Sequence, residues 1–313
     1  MTYFLRLCLK TLLLALCAGG ALAVRAERVE VISSENLPAF REASQALVDE
    51  LGRLGVARSD VRLVSVADLA RGEPTQDDAK VVITLGAKAL SQVIGVTGHP
   101  PVIAALIPRQ GYERIVAGTV KKGNAGTTAV YLDQPFPRQL NLVRLIAPNA
   151  RVLGVVWGPE SQAQRSQLLA SLRGTGLQLR DADIAGADSL VSGLKTATNE
   201  ADVFLAIPDA QVFNAATISD ILMMTYRARV PVVAFSPAYS KAGAMVSLYT
   251  TPQQVGLQAA AVAATYLQSG SLPAPDYPAD YAVSVNEYVA RSMGFNLDGL
   301  RLRAQLAGQE KKP

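Results

Sequence analysis

Short apolar runs alternate along this chain with stretches whose apolar positions recur at helical spacing. Val29-Glu30-Val31-Ile32 reads as a first strand, and Pro38 to Leu54 as a helix with Phe40, Ala43, Leu47, Leu51 and Leu54 on one side. Val61 to Val66, Lys80 to Thr84 and Pro101 to Leu106 read as three more strands, the second running through Leu85-Gly86 into a helix that carries Leu90 and Val93. Val116 to Tyr131 carries turn glycines and short strand signals. A second series begins near residue 134. Helices are predicted over 137–146, 161–173, 188–198, 214–227 and 251–267, interleaved with strands over 151–157, 177–182, 201–207, 230–235 and 243–248. A Pro-rich connection over 270–280 leads to a last strand, 281–285, and a helix, 287–293. Strand-then-helix alternation of this kind predicts parallel sheets with crossover helices, in two series of similar size. Ligands of such sheets bind beyond the carboxyl ends of the strands, so two sheets facing each other place a small-molecule site in the cleft between them.

The length, 313 residues, agrees with about two domains. With 50% hydrophobic and 18% charged residues, the chain is neither disordered nor fibrous in composition. Residues 1–23 have the three parts of a secretory signal: Arg6 and Lys10, the apolar run Leu12 to Ala18, and small residues at Ala21 and Ala23 for cleavage. The apolar stretch is too short to span a bilayer, which takes about 20 residues. Cys17 leaves lipid anchoring open as the lesser alternative, because Leu16 before it is not small. Export to the periplasm follows. Of the 30 Lys and Arg, two lie in residues 1–23, which leaves 28 against 26 acids, and both cysteines go with them. Disulfides, thiolate metal sites and Cys nucleophiles are thereby excluded, and the single His99 excludes poly-His metal sites. No metal or cofactor is expected.

Catalytic motifs are missing as well. His99 precedes Pro100-Pro101 and reads as a solvated loop residue, since the exported chain has no Gly-x-Ser-x-Gly elbow to partner it. Thr84-Leu85-Gly86 is followed by no Gly-Lys-Ser/Thr, so it is not a phosphate-binding P-loop. Lys121-Lys122 and Lys311-Lys312 read as solvated charges, and no basic stripe interleaved with aromatics points to nucleic acid. The chain is read as a non-enzyme.

The stretches Val82 to Ala87, Gln139 to Val152, Leu205 to Asp209, Val230 to Ala234, Lys241 to Ala244 and Val285 to Gly294 resemble, in order and spacing, the type I periplasmic substrate-binding proteins of ABC transporters. More narrowly they resemble the branch that includes tryptophan-binding lipoproteins. The resemblance implies two Rossmann-like α/β lobes with parallel sheets joined by three hinge crossovers, near Tyr131-Leu132-Asp133, near Tyr249-Thr250 and within 271–280. Residues 24–132 and 250–280 would form lobe 1, and 133–249 and 281–313 lobe 2. It implies a monomer that traps a small ligand, an amino acid or similar, by hinge closure and presents it to a membrane permease. A ligand sensor that engages a kinase or an outer-membrane partner would have the same fold. The chain departs from the family pattern at ligand-facing positions, with Tyr131-Leu132-Asp133-Gln134 in place of Gly-Val-Ser-Asp and Pro208-Asp209-Ala210 in place of Pro-Asp-Asn.

Eight residues are expected at the ligand. The turn Thr84-Leu85-Gly86-Ala87 offers a hydroxyl and free backbone N–H groups to a ligand carboxylate or phosphate through Thr84, Gly86 and Ala87, or is an ordinary helix cap. Asp209 is expected to pair with a ligand ammonium, or to cap the helix after it. Ser236 stands at an equivalent strand end. Trp157, the sole tryptophan, is either a stacking wall or a core aromatic. Tyr131 and Tyr249 flank crossings and either line the cleft or pack between lobes.

Overall fold

The structure, a computed structural model, describes residues 29–71, 79–118 and 126–310. The leader at 1–23, Cys17, Lys121-Lys122 and Lys311-Lys312 lie outside the described residues. Among the described residues the strands form two sheets. The first contains β1 (Val29–Ser33), β2 (Val61–Ser65), β3 (Val81–Leu85), β4 (Val102–Ile107) and β5 (Thr127–Tyr131), in the order β2-β1-β3-β4-β5 and all parallel. The second contains β6 (Val152–Trp157), β7 (Gln178–Asp183), β8 (Val203–Leu205), β9 (Val232–Ala234), β10 (Val246–Tyr249) and β11 (Ala282–Val285), in the order β11-β10-β9-β8-β6-β7.

The central strands are apolar on both faces because helices cover both. Val81, Ile83 and Leu85 of β3 point into one core layer while Val82 points into the other. In the second sheet Leu153, Val155 and Trp157 face one layer and Val156 the opposite one. The first sheet is covered by α1 (Pro38–Arg53), α2 (Val66–Ala70), α3 (Ala87–Ile94) and α4 (Arg109–Ala117). The second is covered by α5 (Phe136–Ile146), α6 (Arg165–Leu172), α7 (Ala187–Thr198), α8 (Ile218–Arg227) and α9 (Pro237–Ala242). The Ala-rich α10 (Pro252–Ser269) returns to the first lobe, where Val255, Ala259, Ala260 and Ala263 share a core with Ala43, Leu47 and Leu51 of α1. Gly256 lets the two helices touch: a Cβ there would stand 2.3 Å from the Ala43 carbonyl oxygen.

Six features differ from the sequence reading, two of them the short helices α2 and α9, which it does not assign. β11 is antiparallel to β10, because the chain re-enters the second lobe at its hinge end and can only run away from it. Residues 109–117 form α4, although the sequence reading assigns 109–115 to no element and takes Val116-Ala117 as the start of a stretch of turns and short strands. The last segment adds α12 (Gly299–Glu310) after α11 (Glu287–Ser292), and Leu302 and Leu306 of α12 complete the second core. His99 is buried rather than solvated, with Nδ1 2.7 Å from the Pro100 carbonyl, which makes that nitrogen the donor.

Candidate functional site

The chain passes between the lobes at three places, and a buried polar network ties them together. On the first crossing, the Gln134 carboxamide donates to Thr250 Oγ1 of the second at 2.7 Å. Arg138, one turn into α5, donates through Nη1 to Gln134 Oε1 at 2.8 Å and to the Pro278 carbonyl of the third crossing at 2.7 Å. Its guanidinium also lies 4.2 Å from the Tyr281 ring centre and pairs with Glu310 of α12. Gln134, Arg138 and Thr250 are all buried, so every donor matters: each unmet polar group there costs about 1–3 kcal/mol.

In front of this network a cavity of about 800 Å³ opens between the lobes. Lobe 1 contributes Pro108, Arg109, Gln110, Glu113 and Arg114 from the start of α4. The first crossing contributes Leu132 and Asp133, and the third Tyr277. Lobe 2 contributes Pro159, Glu160 and Gln167 beyond β6, Ile207 and Pro208 beyond β8, and Phe235 beyond β9. A second cavity of about 1040 Å³ shares Leu132 and Phe235 with the first and continues past Ser236, Tyr249 and Lys241. Leu132 and Phe235 therefore stand where the two halves of one cleft meet.

Asp133 is the distinctive charge of the cleft. Its Oδ2 accepts the Arg109 N–H at 2.6 Å, capping α4, while Oδ1 makes no hydrogen bond among the described residues. Burial of the carboxylate pushes its pKa up to about 6, a rise only partly opposed by that N–H and by the Arg109 charge. The Arg109 side chain points the other way, donating through Nη1 to the Tyr277 hydroxyl at 3.0 Å and through Nε to Glu113 at 2.7 Å. Arg114 makes no ion pair among the described residues. Three acids (the half-buried Asp133 with Glu113 and Glu160), two guanidinium groups and apolar walls from Leu132, Phe136, Ile207, Phe235 and Leu248 thus share one space.

A family model described as ABC transporter substrate binding protein matches residues 64–287. The chain belongs to this family. Such proteins bind substrates and are not enzymes, in keeping with the sequence reading. Among curated proteins none matches this sequence. Of solved structures, a conserved domain protein from Vibrio cholerae is 20% identical and superposes with a TM-score of 0.60, covering 88% of this chain and 96% of that one. An ABC domain from Streptococcus pneumonia in complex with L-Trp is 16% identical, with a TM-score of 0.59 and 87% and 95% coverage. A Clostridium difficile substrate binding protein with adhesive properties, in its ligand-free, open form, is 16% identical, with a TM-score of 0.70 and 87% and 96% coverage. These likenesses show that the substrate-binding protein has the two-lobed type I fold expected from its sequence.

The eight residues expected at the ligand divide sharply. Ser236 and Tyr249 line the second cavity. Ser236 also caps α9, its Oγ accepting the Ala238 N–H. Tyr131 lies behind the cleft, edge-on to Tyr277 at 5.4 Å and to Tyr112 at 5.8 Å, and burial raises its pKa to about 12. The other five face elsewhere. Thr84 is fully buried in the first sheet, its hydroxyl without a hydrogen-bond partner among the described residues. Gly86 has a φ of 88°, and a Cβ there would meet Ser34 Oγ at 2.7 Å and the Phe40 ring at 2.9 Å. Ser34 Oγ also accepts the Ala89 N–H at 2.9 Å, so the protein itself fills the anion-receiving turn expected at Gly86 and Ala87. Trp157 is 1% exposed, a core residue whose indole N–H donates to Asp181 at 2.6 Å. Asp209 is 4% exposed and accepts from Glu160 N, Ser161 N and Ser161 Oγ at Oδ2 and from Gln211 N at Oδ1, all within 3.0 Å. It holds two loops together and does not line the cleft.

Sequence reasoning does not single out Arg109, Gln167, Phe235 and Tyr277, and marks Asp133 only as part of a departure at ligand-facing positions. Tyr112, Ile115 and Val116 follow Pro108 at i, i+3 and i+4 spacing, a signal that could have placed α4 and brought Arg109 to its start.

Proposed function

We propose that this substrate-binding protein is exported and serves an ABC transport system, trapping a small zwitterion of the amino acid class between its lobes and handing it to a membrane permease. The observation that carries the ligand class is Asp133, an acid on the crossover itself, with one oxygen unused and with Arg109 and Arg114 lining the same cavity. A ligand ammonium would meet Oδ1, the ligand carboxylate would meet the guanidinium groups of Arg109 and Arg114, and the apolar walls would take its side chain. Contacts made to both lobes exist only when the cleft is shut, so a ligand stabilises closure by the differential contact energy. The three crossings, stitched by Gln134, Thr250 and Arg138, form the pivot. The charged n-region, apolar core and Ala21-Leu22-Ala23 site of residues 1–23 support export by a cleaved signal. Calorimetric titration of the chain lacking residues 1–23 against the L-amino acids, nucleosides and sugars tests the reading. One-to-one binding confined to amino acids is expected. Binding only of sugars or nucleosides, or of nothing, would overturn it.

A further inference from the structure

Tyr277 stands on the third crossing and its place is set by lobe 1. Asp276 before it bridges the edge of β5, donating to the Ala129 carbonyl and accepting the Tyr131 N–H, both at 3.0 Å. The Tyr277 ring rests edge-on against Tyr131. Its hydroxyl collects donors from both lobes. Arg109 Nη1, at the start of α4 in lobe 1, donates at 3.0 Å, and Gln167 Nε2, on α6 of lobe 2, donates at 3.2 Å. A phenolic oxygen can accept both and still donate its own proton. All three side chains line the first cavity.

We propose that Tyr277 is a positioning residue that couples the ligand-facing guanidinium of Arg109 to closure of the lobes, with Gln167 as the closing contact from the far side. The proposal rests on the amino acid reading above. Arg109 presents five donors in a rigid plane, and Tyr277 and Glu113 occupy two of its edges, which fixes the direction of the rest. Tyr277 and Arg109 both travel with lobe 1. Gln167 travels with lobe 2, so its bond to the hydroxyl forms only when the cleft is shut, and a carboxylate held by Arg109 is held best in that state.

The chain beyond residue 23 has no cysteine, so spin labels can be placed cleanly at Ser91→Cys on lobe 1 and Ala170→Cys on lobe 2. Pulsed dipolar spectroscopy of the unliganded protein should give longer, broader interlobe distances in Tyr277→Phe and in Gln167→Leu than in the parent, with no further change when the two are combined. Tyr277→Phe keeps the ring packing, and Gln167→Leu leaves Tyr277 intact, so neither result depends on one variant folding. In titrations with the L-amino acid that binds the parent, the preference for the free carboxylate over its carboxamide should fall about tenfold in Tyr277→Phe, the scale of one charge-assisted hydrogen bond. A general loss of packing would weaken both compounds alike. Unchanged distances in both variants, or an unchanged carboxylate preference, would overturn the proposal. Lengthened distances in a protein that binds no amino acid would keep the clasp and refute the ligand reading instead.

Discussion

Asp209 and Asp133 each stand a few residues beyond a buried strand, β8 and β5, on the side where the two lobes meet. Their surroundings differ in how many donors reach them. Asp209 receives four, three of them from the loop after β6, and is closed off from solvent. Asp133 receives one N–H, keeps an oxygen free and faces the cavity. The first aspartate is a structural clamp whose charge is already balanced by hydrogen bonds. The second is a charge held at some energetic cost, as its raised pKa reports, and a cationic partner would relieve that cost. An acid at a strand end is therefore not by itself a ligand contact. What decides its role is whether neighbouring backbone N–H groups have already been spent on it.

The largest effect that sharpens this contrast is on folding. Asp209→Ala strands the Glu160 and Gln211 N–H groups and leaves the Ser161 N–H and hydroxyl only their longer contacts to the Gly158 carbonyl, and should cost about 3 kcal/mol in chemical denaturation. Gly158→Ala should act in the same direction, because its Cβ would lie 2.3 Å from Asp209 Oδ2. Asp133→Asn should do the reverse. The native state holds the Asp133 proton up to about pH 6, above the range of an unfolded aspartate, so native stability falls as pH rises from about 4 to 6. Asn escapes this fall while still accepting the Arg109 N–H. The unliganded variant should thus be more stable than the parent at pH 7 by about 1–2 kcal/mol, with the gap closing below about pH 4. The smallest effect is a proton count. A cationic ligand group draws the Asp133 pKa down, so binding near pH 6 should release a fraction of a proton, and binding at pH 8 none. Calorimetry in buffers of different ionisation enthalpy reads this directly, and equal release at both pH values would contradict it.

Much of the fold was legible because the strands are buried on both faces and read as apolar runs such as Val81-Val82-Ile83 and Val152 to Trp157. The return of α10 to the first lobe was legible through the resemblance and has a physical cause in its small residues, which admit close contact with α1. The site was less legible, since its contacts are non-local. The sequence leaves Trp157, the sole tryptophan, open between a stacking wall and a core aromatic, and it is the second. Only the β6–β7 register brings Asp181 to its indole nitrogen and the core to its ring. Asp209 finds three of its four donors some 50 residues away, in a loop whose position depends on the neighbouring strand. α4 was hidden by Gly111 and by a polar composition that leaves it only Tyr112, Ile115, Val116 and the terminal Ala117 as apolar residues. With α4 went Arg109 and the pairing that gives Asp133 its place.

The most direct test is a side-by-side affinity measurement. Asp133→Asn and Asp209→Asn would each be titrated at pH 7.5 with the L-amino acid that binds the parent most tightly. Loss of a charge-assisted contact to the ligand should weaken Asp133→Asn about tenfold or more, while Asp209→Asn, though less stable, should bind within about threefold of the parent. Unchanged binding in Asp133→Asn, or an equal loss in Asp209→Asn, would contradict the assignment of the cleft's charge to Asp133.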